Sequence, residues 1–174
     1  MDEEGEECEA SRTVAFVNRE YWVIRDDVMG GEKSHEVSVC WQFSPGRVEV
    51  VEKTGVICFV ESSGVRLMLV SLPGRIGAAI EKSTGVASTP PSGWASFKGR
   101  DVPAPHVRFR LESPLPLSLV WLLFPCADGP VSRLRANRSD EDGGVIRLEV
   151  IFPGGRKDFL TFSPPESVVY DSRQ

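Results

Sequence analysis

Residues 34–43, SHEVSVCWQF, alternate apolar and polar side chains one by one. Val37, Val39, Trp41 and Phe43 fall in one phase, and polar residues or Cys40 fall in the other. Successive side chains of a β-strand point to opposite faces of a sheet, so a period of two is typical of a strand with one buried face. This stretch therefore predicts a half-buried strand.

The alternation recurs elsewhere along the chain. Val107, Phe109 and Leu111 alternate with charged residues in the same way. Residues 117–124, LSLVWLLF, are apolar in both phases, which is typical of a strand covered on both faces or of an aggregation-prone one. Further strands are predicted at residues 12–18, 20–26, 47–52, 55–60, 65–72, 77–82, 145–152, 156–162 and 167–170.

The composition agrees with an all-β fold. The chain has 22 Val but only 9 Ala, and its 16 Gly and 13 Pro are scattered between the apolar runs. Val suits a pleated sheet, whereas Ala is the best helix former. Residues 83–92 are predicted to form a loop and residues 138–144 a charged turn. About a dozen short strands without helical periodicity indicate two stacked sheets or a barrel, and we predict an antiparallel two-sheet β-sandwich.

The net charge of −5 belongs to one end of the chain. Residues 1–10 carry six acidic and no basic residues, which leaves 20 basic against 19 acidic residues in the rest. We predict an acidic disordered tail at residues 1–10 and a single sandwich domain at residues 11–174. The nearly neutral body argues against nucleic acid and membrane as partners.

No localisation signal stands out. The acidic start does not resemble a signal peptide, and no apolar run is long enough to cross a membrane. The four cysteines have no C-x-x-C spacing, so zinc-ribbon and redox motifs are excluded. Cys40 and Cys58 are expected to be small buried hydrophobic residues.

Catalytic motifs are largely missing. No phosphate-binding glycine motif and no G-x-S-x-G occurs, and His35 and His106 are too few for a three-histidine metal site. Asp26 and Asp27 are adjacent, so on a strand they would point to opposite faces and could not act as an acid/base pair; we expect a solvated turn entry there. His106 is expected at the surface. His35 is predicted to be a loop residue. The alternative is a metal site that His35 shares with the two aspartates.

One stretch suggests ligand binding. Trp94, Lys98 and Arg100 lie in a segment bounded by glycines. An exposed tryptophan beside cations could stack on a sugar ring and pair with an acidic glycan. The alternative is a core tryptophan that anchors the proline-rich loop before it.

Two sets of segments carry a family resemblance. The first is YWVIRDDVMG at residues 21–30, SHEV at 34–37 and WQFSPG at 41–46; the second is GWAS at 93–96, VPAP at 102–105, LPL at 115–117 and LLFP at 122–125. In this order they resemble the C-terminal β-sandwich of heparinase II/III-like polysaccharide lyases, over roughly residues 11–163.

The resemblance implies a role in the cleavage of uronic-acid polysaccharides by β-elimination. In that family the catalytic groups come mainly from a helical domain ahead of the sandwich, and members are often periplasmic or secreted. This chain lacks such a domain, so we expect a fragment or relic without lyase activity of its own. Members can also bind a structural metal. Asp26 matches its aspartate, but Gln42 replaces the expected histidine, so no metal and no cofactor is predicted.

The predicted function is therefore that of an accessory domain. It would pack against an upstream helical catalytic domain and contact an anionic polysaccharide. Two alternatives stay open, an independent carbohydrate-binding module and a non-catalytic structural or protein-interaction sandwich.

Overall fold

The computed structural model describes residues 7–31, 33–51, 56–61, 63–72, 78–88, 91–126, 134–163 and 167–173. Within these ranges the chain forms fifteen strands and one short 3-10 turn at Asp142–Gly144. The strands are β1 (Glu9–Val17), β2 (Tyr21–Met29), β3 (Ser34–Gln42), β4 (Gly46–Val51), β5 (Val56–Glu61), β6 (Arg66–Leu72), β7 (Ala79–Thr84), β8 (Trp94–Phe97), β9 (Arg100–Pro103), β10 (Pro105–Pro114), β11 (Leu117–Cys126), β12 (Arg135–Glu141), β13 (Val145–Ile151), β14 (Lys157–Ser163) and β15 (Ser167–Arg173).

The strands form four antiparallel sheets. Six of them make a large sheet in the order β1-β2-β11-β6-β5-β4. A second sheet has the order β3-β10-β7, a third the order β12-β13-β14-β15, and β8 pairs with β9 as a separate hairpin. The six-stranded sheet is called the central sheet below, and β12–β15 the outer sheet.

The central sheet is covered on both faces. One apolar cluster joins Val23 and Leu122 of the central sheet to Leu148 and Leu160 of the outer sheet. A second cluster joins other residues of the central sheet, including Trp121, to Phe109 and neighbouring residues of the three-stranded sheet. The molecule is therefore a sandwich of three layers.

Strand β11 explains this arrangement. Leu119 and Trp121 face the three-stranded sheet, whereas Val120 and Leu122 face the outer sheet, and all four are at most 2% exposed. Successive side chains leave a strand on opposite sides. A strand that is apolar in both phases can thus bury every side chain only between two layers.

A polar network lies within the interface with the outer sheet. The Tyr21 hydroxyl donates to the fully buried carboxylate of Asp158 at 3.0 Å, and the Ser172 hydroxyl donates to the same carboxylate at 3.0 Å. Burial and the negative charge of Asp158 raise the pKa of Tyr21. Tyr21 is 0% exposed, so this hydroxyl ties the two layers together and is closed to an external ligand.

The predicted all-β antiparallel sandwich is confirmed, with a third layer added. The charged segment 138–144, predicted as a turn, is largely strand β12. The Arg138 guanidinium explains this, because it is only 5% exposed, donates to the Ser118 carbonyl at 2.9 Å and pairs with Asp140 two residues on.

Two further predictions can be compared with the structure, one for the N-terminal tail and one for the burial of a cysteine. Residues 1–6 of the predicted tail lie outside the described residues, whereas Glu9 and Ala10 belong to β1. Cys40 is exposed, so its predicted burial is wrong; it lies in the outward phase of β3. In the described part of the chain, no helix has the length and apolar character to cross a membrane.

A pair of substitutions on β11 tests the three-layer arrangement. Leu119→Ala and Leu122→Ala remove side chains that are 1% and 0% exposed on opposite faces. Each should lower the free energy of unfolding by about 2–5 kcal/mol, as deletion of a buried leucine does. Urea unfolding measures both. Val169→Ala, at a side chain 63% exposed, is the control and should change stability by less than about 0.5 kcal/mol. A small effect at either leucine would mean that one face is uncovered.

Candidate functional site

The predicted sugar-binding tryptophan lies at the base of the β8–β9 hairpin. Trp94 is 37% exposed, and its indole N–H donates to the Val86 carbonyl at 3.1 Å. The preceding Gly93 has φ +75°, and a Cβ there would lie 2.6 Å from the Thr84 Cα. A glycine is needed for this close approach. The indole is therefore held in place while part of its ring stays open to solvent.

The two predicted cations lie at the other end of the hairpin. Lys98 occupies the turn with φ 51°, and Arg100 pairs with Phe97, whereas Trp94 pairs with Pro103. Three steps along a strand span about 10 Å. The three residues thus share one hairpin but not one compact pocket, and only an extended ligand could contact all of them.

A shallow groove with two other cations lies close to the base of the hairpin. Arg47 and Lys82 line a cavity of about 370 Å³ together with Ser83 and Thr84. Gly85, directly after Thr84, donates its N–H to the Gly93 carbonyl at 2.7 Å. The groove residue Thr84 is therefore followed directly by Gly85, which is hydrogen-bonded to the base of the hairpin. Sequence reasoning missed these cations, because β4 and β7 are distant in sequence and meet only in the folded protein.

His106 is less exposed than predicted. It is half-buried in β10, and its Nδ1 lies 3.2 Å from the Ser92 hydroxyl oxygen, which in turn lies 2.6 Å from that of Ser83. Burial, with a smaller effect of Arg108, lowers the pKa of His106. The imidazole connects Ser92 to β10 of the three-stranded sheet. The prediction of His35 as a loop residue is wrong, because His35 lies in β3, with its Nδ1 3.9 Å from the sulfur of Cys8. Among the described residues, no group of three or more potential metal ligands includes His35 and the aspartates.

The adjacent aspartates point to opposite faces of the central sheet, as predicted. Asp26 accepts hydrogen bonds from Arg12 and from the Trp121 indole on the side of the three-stranded sheet. Asp27 accepts from Arg25 and Ser118 on the side of the outer sheet. The predicted solvated turn entry is wrong for Asp26, which is 7% exposed within β2. Each carboxylate therefore belongs to a separate hydrogen-bond network.

The residues around Asp26 do not fit a structural metal. The Asp26 oxygens accept from Arg12 Nε at 2.5 Å, Arg12 Nη2 at 2.9 Å and Trp121 Nε1 at 2.9 Å. Gln42 turns its amide to the carbonyls of Phe43 and Pro105, both at 3.1 Å. Among the residues that the structure describes, no group of three or more His, Cys, Asp or Glu side chains could hold a metal ion. The positive charge that a metal ion would supply beside Asp26 comes instead from the Arg12 guanidinium.

An apolar strip remains uncovered at the β1 edge of the central sheet. Val14 is 55% exposed and Phe16 52% exposed, and the Phe16 ring stacks on the half-buried Trp22 at a centroid distance of 4.6 Å. These side chains face the same side as the three-stranded sheet, which has too few strands to cover all six of the central sheet. Contiguous exposed apolar surface often marks an interaction site.

Comparison with known proteins finds the same fold in solved lyase structures. The heparan sulfate lyase HepC from Pedobacter heparinus matches with a TM-score of 0.70 and 16% identity over 92% of this chain, but over only 24% of its own length. The heparinase III BT4657 gene product matches with a TM-score of 0.66 and 17% identity over 91% of this chain and 25% of its own. No family model matches the sequence, and no curated protein matches it.

These matches confirm the predicted resemblance at the level of the fold. The chain spans about a quarter of the length of the lyases that it matches. Identity of 16–17% leaves the functional residues to be judged on this chain's own geometry.

The pairing of Arg12 with Asp26 can be tested by removing the guanidinium. Arg12→Met leaves the nearly buried Asp26 carboxylate with the Trp121 donor alone, so the free energy of unfolding should fall by about 1–3 kcal/mol in urea unfolding. Arg47→Met is the matched control, because that arginine is 68% exposed in its pair with Glu49 and should cost less than about 0.5 kcal/mol. Metal analysis of the unmodified protein should find no stoichiometric zinc. Stoichiometric zinc would overturn the assignment of Arg12 as the partner of Asp26.

Proposed function

We propose that this chain is an accessory β-sandwich domain of a heparinase II/III-like lyase architecture. It packs against a helical catalytic domain, contacts an anionic polysaccharide, and is not catalytically complete alone. The observation that carries the proposal is the fold match, which covers more than nine tenths of this chain but only about a quarter of each lyase.

The apolar strip supports the contact with another domain. Val14 and Phe16 are each more than half exposed on a sheet face whose remainder is packed, and Phe16 is held by stacking on Trp22. Burial of such side chains contributes about 1.5–3 kcal/mol each, so a partner that covers the strip would gain appreciable stability. The strip is thus the surface that we assign to the catalytic domain.

The hairpin and the nearby groove support the contact with a glycan. Trp94 offers a fixed, partly exposed ring, and the exposed cations Lys98 and Arg100 lie along the same hairpin, while Arg47 and Lys82 line the groove. A sulfated or uronic-acid chain could stack on the ring and pair its anionic groups with the guanidinium and ammonium groups. The extended spacing suits a polymer better than a single sugar.

The chemistry of β-elimination supports catalysis outside this chain. The reaction needs a base and an acid that converge on the substrate. Neither the groove nor the larger cavity between the central and outer sheets is lined by His or Tyr. Tyr21 is fully buried, and His106 is half-buried beside Ser92.

A lyase assay tests the catalytic claim. The isolated chain is incubated with heparan sulfate and other uronic-acid polysaccharides, and unsaturated uronate products are followed by their ultraviolet absorbance. We expect no absorbance change, because neither of the two described cavities is lined by a His or Tyr that could serve as base or acid. HepC from Pedobacter heparinus serves as the positive control. Product formation by the isolated chain would show that catalysis lies within it.

Binding to the same polysaccharides tests the glycan surface. Trp94→Ala should weaken binding about three- to tenfold through the lost ring contact. Tyr170→Ala is the matched control, because Tyr170 is 39% exposed on the outer sheet and should leave affinity unchanged. Binding should also weaken as salt rises, since exposed charges are screened. Absence of binding to every polysaccharide would refute the glycan contact and favour a structural or protein-interaction sandwich.

The coding sequence ahead of Met1 separates the accessory domain from an independent carbohydrate-binding module. An accessory domain requires a long helical region that contains His and Tyr, comparable to the remaining three quarters of the lyases. A stop codon in frame just ahead of Met1 would contradict it and favour the module.

A further inference from the structure

Strand β15 lies at one edge of the outer sheet and is open to solvent along its length. Among the described strands it pairs only with β14, so the backbone N–H and C=O groups along its other side have no strand partner. Six of its seven residues are exposed. Such an edge can add a strand from another chain, because the backbone groups of the two strands complete each other's hydrogen bonds.

Two large apolar side chains of β15 are exposed. Val169 is 63% exposed on the outward face of the sheet, and Tyr170 is 39% exposed in the opposite phase. That opposite phase faces the central sheet, because Val168 packs against the apolar cluster between the two sheets and the Ser172 hydroxyl donates to Asp158. The central sheet thus leaves part of the underside of β15 open, and a second strand could lie beside β15 there.

The two edges of the outer sheet differ in how they are protected. Charged side chains in the inward phase are one of the devices that keep edge strands from pairing with other chains. Strand β12, at the opposite edge, carries Arg138 and Asp140 in the phase of Ala136, which packs against the apolar cluster. Strand β15 has no charged residue in its inward phase, and its outward Asp171 and Arg173 pair with each other at 3.0 Å. Of the two edges, β15 is therefore the unprotected one.

The sequence of β15 is complementary to itself in one antiparallel register. With a two-fold axis at Val169, this valine lies opposite its counterpart, and Val168 lies opposite Tyr170 of the second copy. Ser167 lies opposite Asp171, so a hydroxyl donor meets a carboxylate acceptor. Pairs of β-branched and aromatic side chains stabilise antiparallel strands, and in this register every apolar residue of β15 meets an apolar one.

Shifting the axis along β15 gives poorer pairs. An axis at Tyr170 places Val169 opposite Asp171, an apolar side chain against a charged one. An axis at Asp171 brings two carboxylates together, and like charges directly opposite each other destabilise a strand pair. An axis at Val168 pairs only residues 167–169 of each copy within the strand. The register centred on Val169 is therefore favoured.

We propose that two copies of this chain associate through β15 about a two-fold axis at Val169. The interface is isologous, and it joins the two four-stranded outer sheets into one continuous sheet. A single pair of strands buries a small area, so the dimer is expected to dissociate on dilution. Unfolding at low protein concentration then reports on the monomer, in which Val169 is exposed. The inference does not depend on the proposed function.

Analytical ultracentrifugation of the whole chain, at concentrations up to about 1 mM, tests the association. We expect a monomer–dimer equilibrium. Val169→Asp puts two carboxylates on the axis and should weaken dimerisation at least about tenfold. Val65→Asp is the matched control, because Val65 is 62% exposed just before β6 of the central sheet, and it should leave the dimer unchanged. Both side chains are exposed, so both variants should fold, which circular dichroism checks.

Disulfide cross-linking tests the register. Val169→Cys, combined with Cys8→Ser and Cys40→Ser to remove the exposed thiols, places two thiols opposite each other. With a copper catalyst, dissolved oxygen takes up the two thiol protons and two electrons as the S–S bond forms. Opposite residues have Cα atoms about 5 Å apart, within the disulfide limit of about 7 Å. Asp171→Cys in the same background is the control and should not cross-link, because its two thiols would lie about 14 Å apart along the strands.

The proposal is overturned if the unmodified chain stays monomeric throughout this concentration range, which would favour a strand of another protein as the occupant of the edge. It is also overturned if Val65→Asp weakens the dimer as much as Val169→Asp does. Cross-linking of Asp171→Cys as readily as of Val169→Cys would overturn the axis at Val169.

Discussion

The burial of the central sheet on both faces is the constraint on which the rest of this structure depends. Strand β11 has apolar side chains in both phases, and its neighbour β2 does so over its first four residues. Such strands cannot leave either face in water without exposing several large side chains. The outer sheet and the three-stranded sheet supply the two covers, and each interface has its own apolar cluster.

The buried carboxylates Asp158 and Asp26 in these interfaces are paired with donors on other strands. Asp158 is fully buried, yet it accepts from Tyr21 of the central sheet and from Ser172 of its own sheet. Asp26 is satisfied by Arg12 and Trp121. A buried charge without partners would cost several kcal/mol, so the Tyr21–Asp158 hydrogen bond favours the contact between the central and outer sheets.

The surfaces proposed for function lie at the edges of the two covering sheets. The three-stranded sheet contacts β1 at Arg12 but leaves Val14 and Phe16 more than half exposed. The cavity beside Arg25 is lined on one side by Gly143 and Gly144, in the turn between β12 and β13. The β8–β9 hairpin stands apart from the three stacked layers as a sheet of its own. A stable layered scaffold thus presents three different kinds of surface, an apolar strip, a lined cavity and a charged hairpin.

The sequence by itself determined the all-β class, most of the strands and the phase of their side chains, because alternation is a local property that any sheet must respect. It also predicted that Asp26 and Asp27 could not act together. Only the tertiary structure decided that there are three layers, that residues 138–141 belong to a strand, and that Arg12 lies beside Asp26. The same holds for the groove of Arg47 and Lys82 and for the cavity lined by Arg25 and Asp27. These features join residues that are distant in sequence or on different sheets, and no local pattern specifies which strand pairs with which or which faces pack together.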